Sequence, residues 1–151
     1  MKKLSLLFTI LIMQSCGTVQ NIKATDLSTT KIYENLNKSQ SDLYVISNSW
    51  MIDTFKNAES VIQFSDKETG SIIGKYLMQG SVIHSGYLST DTRIFAKIDI
   101  SLKDDRAKIT IAPTDDITIW QSGASVKFRD QINDIIESYN VAINKNNALN
   151  W

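Results

Sequence analysis

Residues able to do chemistry are sparse in this chain of 151, and few are spaced like a known site. Gly70-Ser-Ile-Ile-Gly74-Lys75-Tyr76 has the outline of a phosphate loop. The spacing is one residue short, and Tyr76 stands where a Ser or Thr would hold magnesium. The segment also opens an apolar run, so no helix N-terminus is at hand to meet a phosphate, and it reads as a strand. Asp104-Asp105 and Asp115-Asp116 offer paired carboxylates, the minimum for acid and base work. They belong to the enzyme alternative, a hydrolase using Asp and Lys residues. Both pairs fall in turn sequences, where carboxylates are usually solvated, so no catalytic residue is assigned.

His84 is the chain's only histidine and Cys16 its only cysteine. Without a second His or Cys at ligand spacing, neither a metal nor a cofactor is expected, and His84 reads as a surface loop residue. The many serines lack a nucleophile elbow and a histidine-based partner, so nucleophilic hydrolysis has no support.

Cys16 has a different context. Met1-Lys2-Lys3 precedes an apolar run from Leu4 to Met13 that only Ser5 and Thr9 interrupt. A charged start and a short hydrophobic stretch make an export signal, and the run is too short to span a bilayer. Met13-Gln14-Ser15-Cys16-Gly17 then resembles the bacterial lipoprotein signal, in which a small residue precedes a Cys that is acylated and becomes the new N-terminus. The resemblance implies a signal over residues 1–15 and membrane attachment through lipid on Cys16, durable where several acyl chains act together. Gly17, rather than Asp, after the cysteine resembles lipoproteins of the outer membrane.

Composition narrows the partners. Sixteen basic residues balance sixteen acidic ones, and Lys2 and Lys3 would leave with the signal. A slightly acidic, exported chain is a poor nucleic-acid binder, because such affinity comes largely from neutralising phosphates. Apolar residues at 42% suit a globular protein, and a single Cys excludes an internal disulfide framework. The length allows one domain.

The elements that would position any site are organised around Arg93 to Ala112. Ile94, Ala96, Ile98, Ile100 and Leu102 alternate with polar residues, as do Ala107, Ile109 and Ile111 after Asp104-Asp105. A two-residue loop sets Lys103 opposite Arg106, then pairs Leu102 with Ala107, Ile100 with Ile109 and Ile98 with Ile111, all on one face. The other face receives Arg93, Phe95, Lys97, Lys103, Arg106 and Lys108 together with Asp99, Ser101 and Thr110. This wet face, a basic strip with one exposed aromatic, is the candidate binding face, with Phe95, Lys97, Arg106 and Lys108 as its named residues. A sheet greasy on one side only implies an α+β fold with helices on that side.

Ser39-Gln-Ser-Asp42 predicts a helix start, and Leu43, Ile46 and Trp50, broadened by Tyr44, Met51 and Phe55, carry the helix to about Phe55. Val61 to Phe64 predicts a strand closed by a turn at Asp66 to Gly70. Ile72 to Ile83 predicts a second strand, with Gly74 and Gly80 as possible bulge positions. A turn over His84 to Asp91 precedes the hairpin, and Ile117 to Trp120 predicts a fifth strand. Phe128, Ile132, Ile135, Ile136, Tyr139 and Ile143 line one face of a last helix capped by Ser122 or Ser125. Gly17 to Asn37 shows no sustained period and reads as a flexible tether over residues 16–37, with one domain over 38–147 and a tail over 148–151.

Trp50, Phe55, Ala58-Glu-Ser-Val-Ile62, Asp66-Lys-Glu-Thr-Gly70-Ser-Ile-Ile-Gly-Lys75 and Lys103-Asp-Asp-Arg106 stand in an order that resembles an uncharacterised bacterial domain family. That family has a TATA-binding-protein-like fold and is often found in lipoproteins. It usually reads Lys-Asp-Gly-Arg at the hairpin tip, where this chain has Asp105. The resemblance implies a helix, strands, helix order in a four- to five-stranded antiparallel sheet, and transfers no catalytic residue. Function reads as a non-enzymatic, membrane-anchored module of the cell envelope that binds a protein, peptide or glycan.

Overall fold

The computed structural model describes residues 20–55, 61–79, 82–85, 88–91, 93–119 and 124–145. The signal over residues 1–15, Cys16, Trp120, Ser122 and the tail over 148–151 lie outside them. The order is β1 (Gln20–Ile22), α1 (Ala24–Leu27), β2 (Thr29–Tyr33), α2 (Gln40–Thr54), β3 (Val61–Asp66), β4 (Ser71–Gln79), β5 (Val82–Ser85), β6 (Leu88–Asp91), β7 (Ile94–Lys103), β8 (Arg106–Pro113), β9 (Ile117–Ile119) and α3 (Ala124–Asn144).

β7 and β8 pair in the register that alternation dictates, from Lys103 opposite Arg106 to Ile98 opposite Ile111. The two-residue loop puts Asp105 in the left-handed region at φ 65, which a short polar side chain tolerates better than most. Ala96, Ile98, Ile100, Leu102, Ala107, Ile109 and Ile111 point inward, none more than 1% exposed. Each large aliphatic chain so buried contributes about 1.5–3 kcal/mol. β4 joins β7, β3 joins β4 and β2 joins β8, giving a five-stranded antiparallel sheet in the order β2-β8-β7-β4-β3.

α2 starts at the expected cap. The Ser39 hydroxyl accepts from the Asp42 amide at 3.1 Å and donates to the Asp42 carboxylate at 2.6 Å. Leu43, Ser47, Trp50 and Met51 are buried along it, and all six expected residues of α3 are buried as their spacing requires. The two helices meet through Trp50, whose indole N–H donates to the Ser138 hydroxyl at 3.1 Å and whose ring lies 4.8 Å from that of Tyr139. The Ser47 and Tyr139 hydroxyls are 2.9 Å apart.

Several expectations are corrected. From Gln20 onward the expected tether is folded: β2 forms one edge of the sheet, and Leu27, Tyr33 and Leu36 are buried in the core. The Tyr33 hydroxyl donates to the Ile136 carbonyl at 3.1 Å, tying this edge to α3. The expected fifth strand, β9, pairs instead with β1 outside the main sheet, so β2 takes the fifth place. The long strand over Ile72 to Ile83 ends at Gln79, and His84 lies on β5, paired with β6, rather than in an open turn. Gly74 is in regular pairing, Gly80 lies outside the described residues, and among those the register shifts in this sheet lie between Ile62 and Phe64 and between Leu77 and Gln79. Ser125 lies inside α3 rather than ahead of it.

Candidate binding face of the sheet

Outward side chains form rows across the sheet. Phe64, Ile73, Asp99, Thr110 and Thr30 stand in register from β3 to β2. Nearer the Asp104-Asp105 tip run Asp66, Ser71, Ser101, Lys108 and Ile32. On the other side come Lys75, Lys97 and Ala112, then Leu77 opposite Phe95. Both long helices supply the buried side chains that pack on the opposite face.

Lys97, Arg106 and Lys108 are exposed on this face, and Phe95 shares it, as alternation requires. They form two clusters rather than one strip. Phe95 and Lys97 lie where β7 begins, whereas Arg106 and Lys108 lie by the hairpin tip. Phe95 is not the lone exposed aromatic. It is half-buried, with the Lys75 ammonium 4.1 Å from its ring centroid and the Arg93 guanidinium at 5.5 Å. Cations over a ring face are attracted by its quadrupole, an effect of about 0.5–1 kcal/mol at exposed sites. The more exposed ring is Phe64, at 50%, which sequence reasoning missed because the register shift after Ile62 breaks the alternation of β3. Lys97 pairs with Asp99 at 3.1 Å, and Arg106 pairs with Glu34. Lys103 and Lys108 have no ion-pair partner among the described residues.

Three of the four paired carboxylates serve the backbone. Asp104 accepts from the Gln40 amide at 2.8 Å, at the start of α2, and Asp105 accepts from the Asn37 amide at 2.6 Å. Asp116 accepts from the Ala24 amide at 2.8 Å, and Asp115 from the Thr114 hydroxyl at 2.8 Å. Gly70 closes the neighbouring turn at φ 66, and a Cβ there would run into the Leu102 carbonyl. The phosphate-loop outline therefore resolves into a turn glycine followed by strand β4. In the same turn the Thr69 side chain, then the Glu68 amide, hold the Asp66 carboxyl below the ordinary carboxylate value. That stabilises the turn above the unfolded value near 3.8 and is lost as pH falls through the lower folded value.

A concavity of 1140 Å³ lies on the helix side, lined by Val45, Ile46 and Trp50 of α2, Val141 and Ala142 of α3, and Lys38. Among the described residues no group of His, Cys, Asp and Glu could hold a metal ion, and no helix is long and apolar enough to cross a membrane.

Residues 29–114 match the family described as "Domain of unknown function (DUF4468) with TBP-like fold". The structure is similar to that of a DUF4468 family protein from Bacteroides ovatus ATCC 8483, with a TM-score of 0.57 and 18% identity, over 80% of this chain and 88% of that one. It is also similar to a TBP-like protein from Parabacteroides distasonis ATCC 8503, with a TM-score of 0.48 and 14% identity, over 75% of this chain and 92% of that one. No curated protein matches the sequence.

Proposed function

The chain belongs to the DUF4468 family of domains of unknown function with a TBP-like fold, and from that premise we propose that it is a membrane-anchored, non-catalytic binding module of the cell envelope. The observation that carries the reading is the open face of the sheet. It presents Phe64, Phe95 and Ile73 among Lys75, Lys97, Lys103, Arg106 and Lys108, while both long helices pack behind it. Such a face suits an acidic protein partner, because charge complementarity steers encounter and aromatic side chains anchor the contact. Asp104, Asp105 and Asp116, three of the four carboxylates that could have done acid and base work, hold backbone amides of turns and helix starts, which favours this reading over the hydrolase. Anchoring rests on the signal and Cys16 of the sequence.

The experiment captures the native protein with its partners from envelope extracts and repeats the capture with Phe95→Ser, Lys97→Ser and Lys108→Ser combined. An unchanged melting temperature with loss of a partner supports the sheet face. Recovery of every partner in the same yield overturns it. In parallel, Cys16→Ser should leave the membrane fraction, and its retention there would overturn lipid anchoring.

A further inference from the structure

Much of the apolar surface that folding leaves open lies on the helix layer. Among the described residues, the large apolar side chains that stay exposed are Ile32 and Phe64 on the sheet and Val45, Ile52 and Val141 on α2 and α3, the last three at 56%, 66% and 62%. The contacts of Trp50 with Ser138 and of Ser47 with Tyr139 set the two helices side by side and antiparallel. Ile46, Trp50 and Ala142 line the 1140 Å³ concavity between them, with Val45 and Val141 exposed on its α2 and α3 sides. An apolar stripe open to water on two neighbouring helices is the surface that a further pair of helices covers in a bundle.

Charge around the concavity is sorted by end. Lys38 lies just ahead of α2 and Lys145 just past α3, so both stand at one end, together with Asp42. Asp53 stands at the other, in the last turn of α2. Asp134 joins it, because it precedes Ser138 by one turn of α3 and is exposed on the stripe that continues to Val141 and Lys145. From Asp42 to Asp53 the helix rises about 16 Å, so the ends are well separated. Neighbouring stretches of chain leave the balance as it is: Lys56 and Glu59 cancel, Lys127 and Asp130 cancel, and residues 146–151 carry no charged side chain. No ion pair joins Lys38, Lys145, Asp53 or Asp134 to another described residue.

We propose that this helix face is the interface of a homodimer, in which a second copy of the chain covers the concavity. Charge selects the symmetry axis. A two-fold axis running across the helices lays α2 antiparallel on α2 of the second copy and α3 on its α3. It brings Lys38 of each copy opposite Asp53 of the other and Lys145 opposite Asp134, while Val45, Ile46, Val141 and Ala142 meet at the centre. An axis along the helices would instead set lysines on lysines and acids on acids, which like-charge repulsion opposes. A partner of one sign, such as the acidic protein suited to the sheet face, meets like charge at one end of the concavity, whereas a second copy is complementary at both. The product is a four-helix layer between two sheets, whose open faces point away from each other and can each take a partner. The pairing does not depend on lipid anchoring.

The test uses the full chain. In intact cells treated with a mild oxidant, Val45→Cys, close to the axis, should form a disulfide-linked dimer. Ile32→Cys, equally exposed but at the edge of the sheet, should not, and the parent chain controls for Cys16. Sedimentation of the purified full chain over a range of concentrations then measures the dimer. Lys145→Asp and Asp134→Lys should each weaken it by roughly tenfold, because each ion pair occurs twice across the axis, and the two combined in one chain should restore it. Val141→Asp, at a position already 62% exposed, should give a monomer with unchanged circular dichroism. Phe95→Ser, Lys97→Ser and Lys108→Ser combined should leave the dimer intact, so that failure of the sheet-face reading and failure of this one are told apart. A chain monomeric at every concentration, cross-linking of Ile32→Cys as fast as Val45→Cys, or no rescue by the combined charge reversal would overturn the homodimer. A chain that dimerises only after residues 146–151 are deleted would assign the concavity to its own last residues and overturn it as well.

Discussion

Ser47 and Tyr139 put a polar pair in the middle of an apolar helix layer. Both residues are 0% exposed and their hydroxyls are 2.9 Å apart, so each is the partner that makes burial of the other tolerable. Ser47→Ala and Tyr139→Phe should each destabilise by about 1–3 kcal/mol, because each leaves one hydroxyl without its partner. The double variant should cost less than the two together, by a coupling of about 0.5–3 kcal/mol in urea unfolding. Strict additivity would mean that the hydrogen bond contributes nothing. Burial, first of all, pushes the Tyr139 phenol above its ordinary value of 10.0. A folded value above the unfolded one gives stability that is complete below pH 10 and declines as pH rises through the folded value. Tyr139→Phe should therefore flatten part of the alkaline loss of stability. The Ser47 position was invisible in the sequence, since a serine in an apolar stripe gives no sign of a hydroxyl opposite it on another helix.

At the scale of elements, the hairpin was legible to the residue because one face is fully apolar, so a slip by a single residue would bury Lys97 and Asp99. Ile100→Asp places a carboxylate at a fully buried position and should cost several kcal/mol, a large share of a typical total of about 5–15 kcal/mol. Ser101→Asp, on the outward face, should change stability far less. Equal melting temperatures would contradict the register. β4 was not legible in the same way. Its inward residues are Ile72, Gly74, Tyr76 and Met78, and its outward ones include Ile73 and Leu77, so hydropathy does not separate the faces. That hid Lys75, although Phe95, Lys97, Arg106 and Lys108 were all placed outward by alternation. β2 was missed for another reason. An edge strand with Ile32 exposed at 56% and Lys31 beside it shows no alternation, and its role depends on pairing with β8, far along the chain.

For the whole molecule, the consequence is that the folding unit starts well before residue 38. The segment from Gln20 to Lys38 supplies Leu27, Tyr33 and Leu36 to the core at 1%, 9% and 7% exposure, and covers the outer edge of β8 along five register pairs. It also closes the hairpin tip. Asp105 receives the Leu36 amide on its carbonyl and the Asn37 amide on its carboxylate, and donates its own amide to the Lys38 carbonyl at 2.9 Å. Removing residues 20–37 would bare the apolar inner side of β8, leave a row of unpaired strand amides and carbonyls, and take the Leu36 and Asn37 amides away from Asp105. Each large apolar side chain withdrawn from the core costs about 1.5–3 kcal/mol, and an uncovered edge invites pairing between molecules. A chain starting at residue 38 should lose its cooperative thermal transition or associate through β8, whereas one starting at Gln20 should melt as the parent does. Circular dichroism during heating, with light scattering for association, reads both outcomes. Matching transitions for the two truncated chains would return residues 20–37 to the role of a tether.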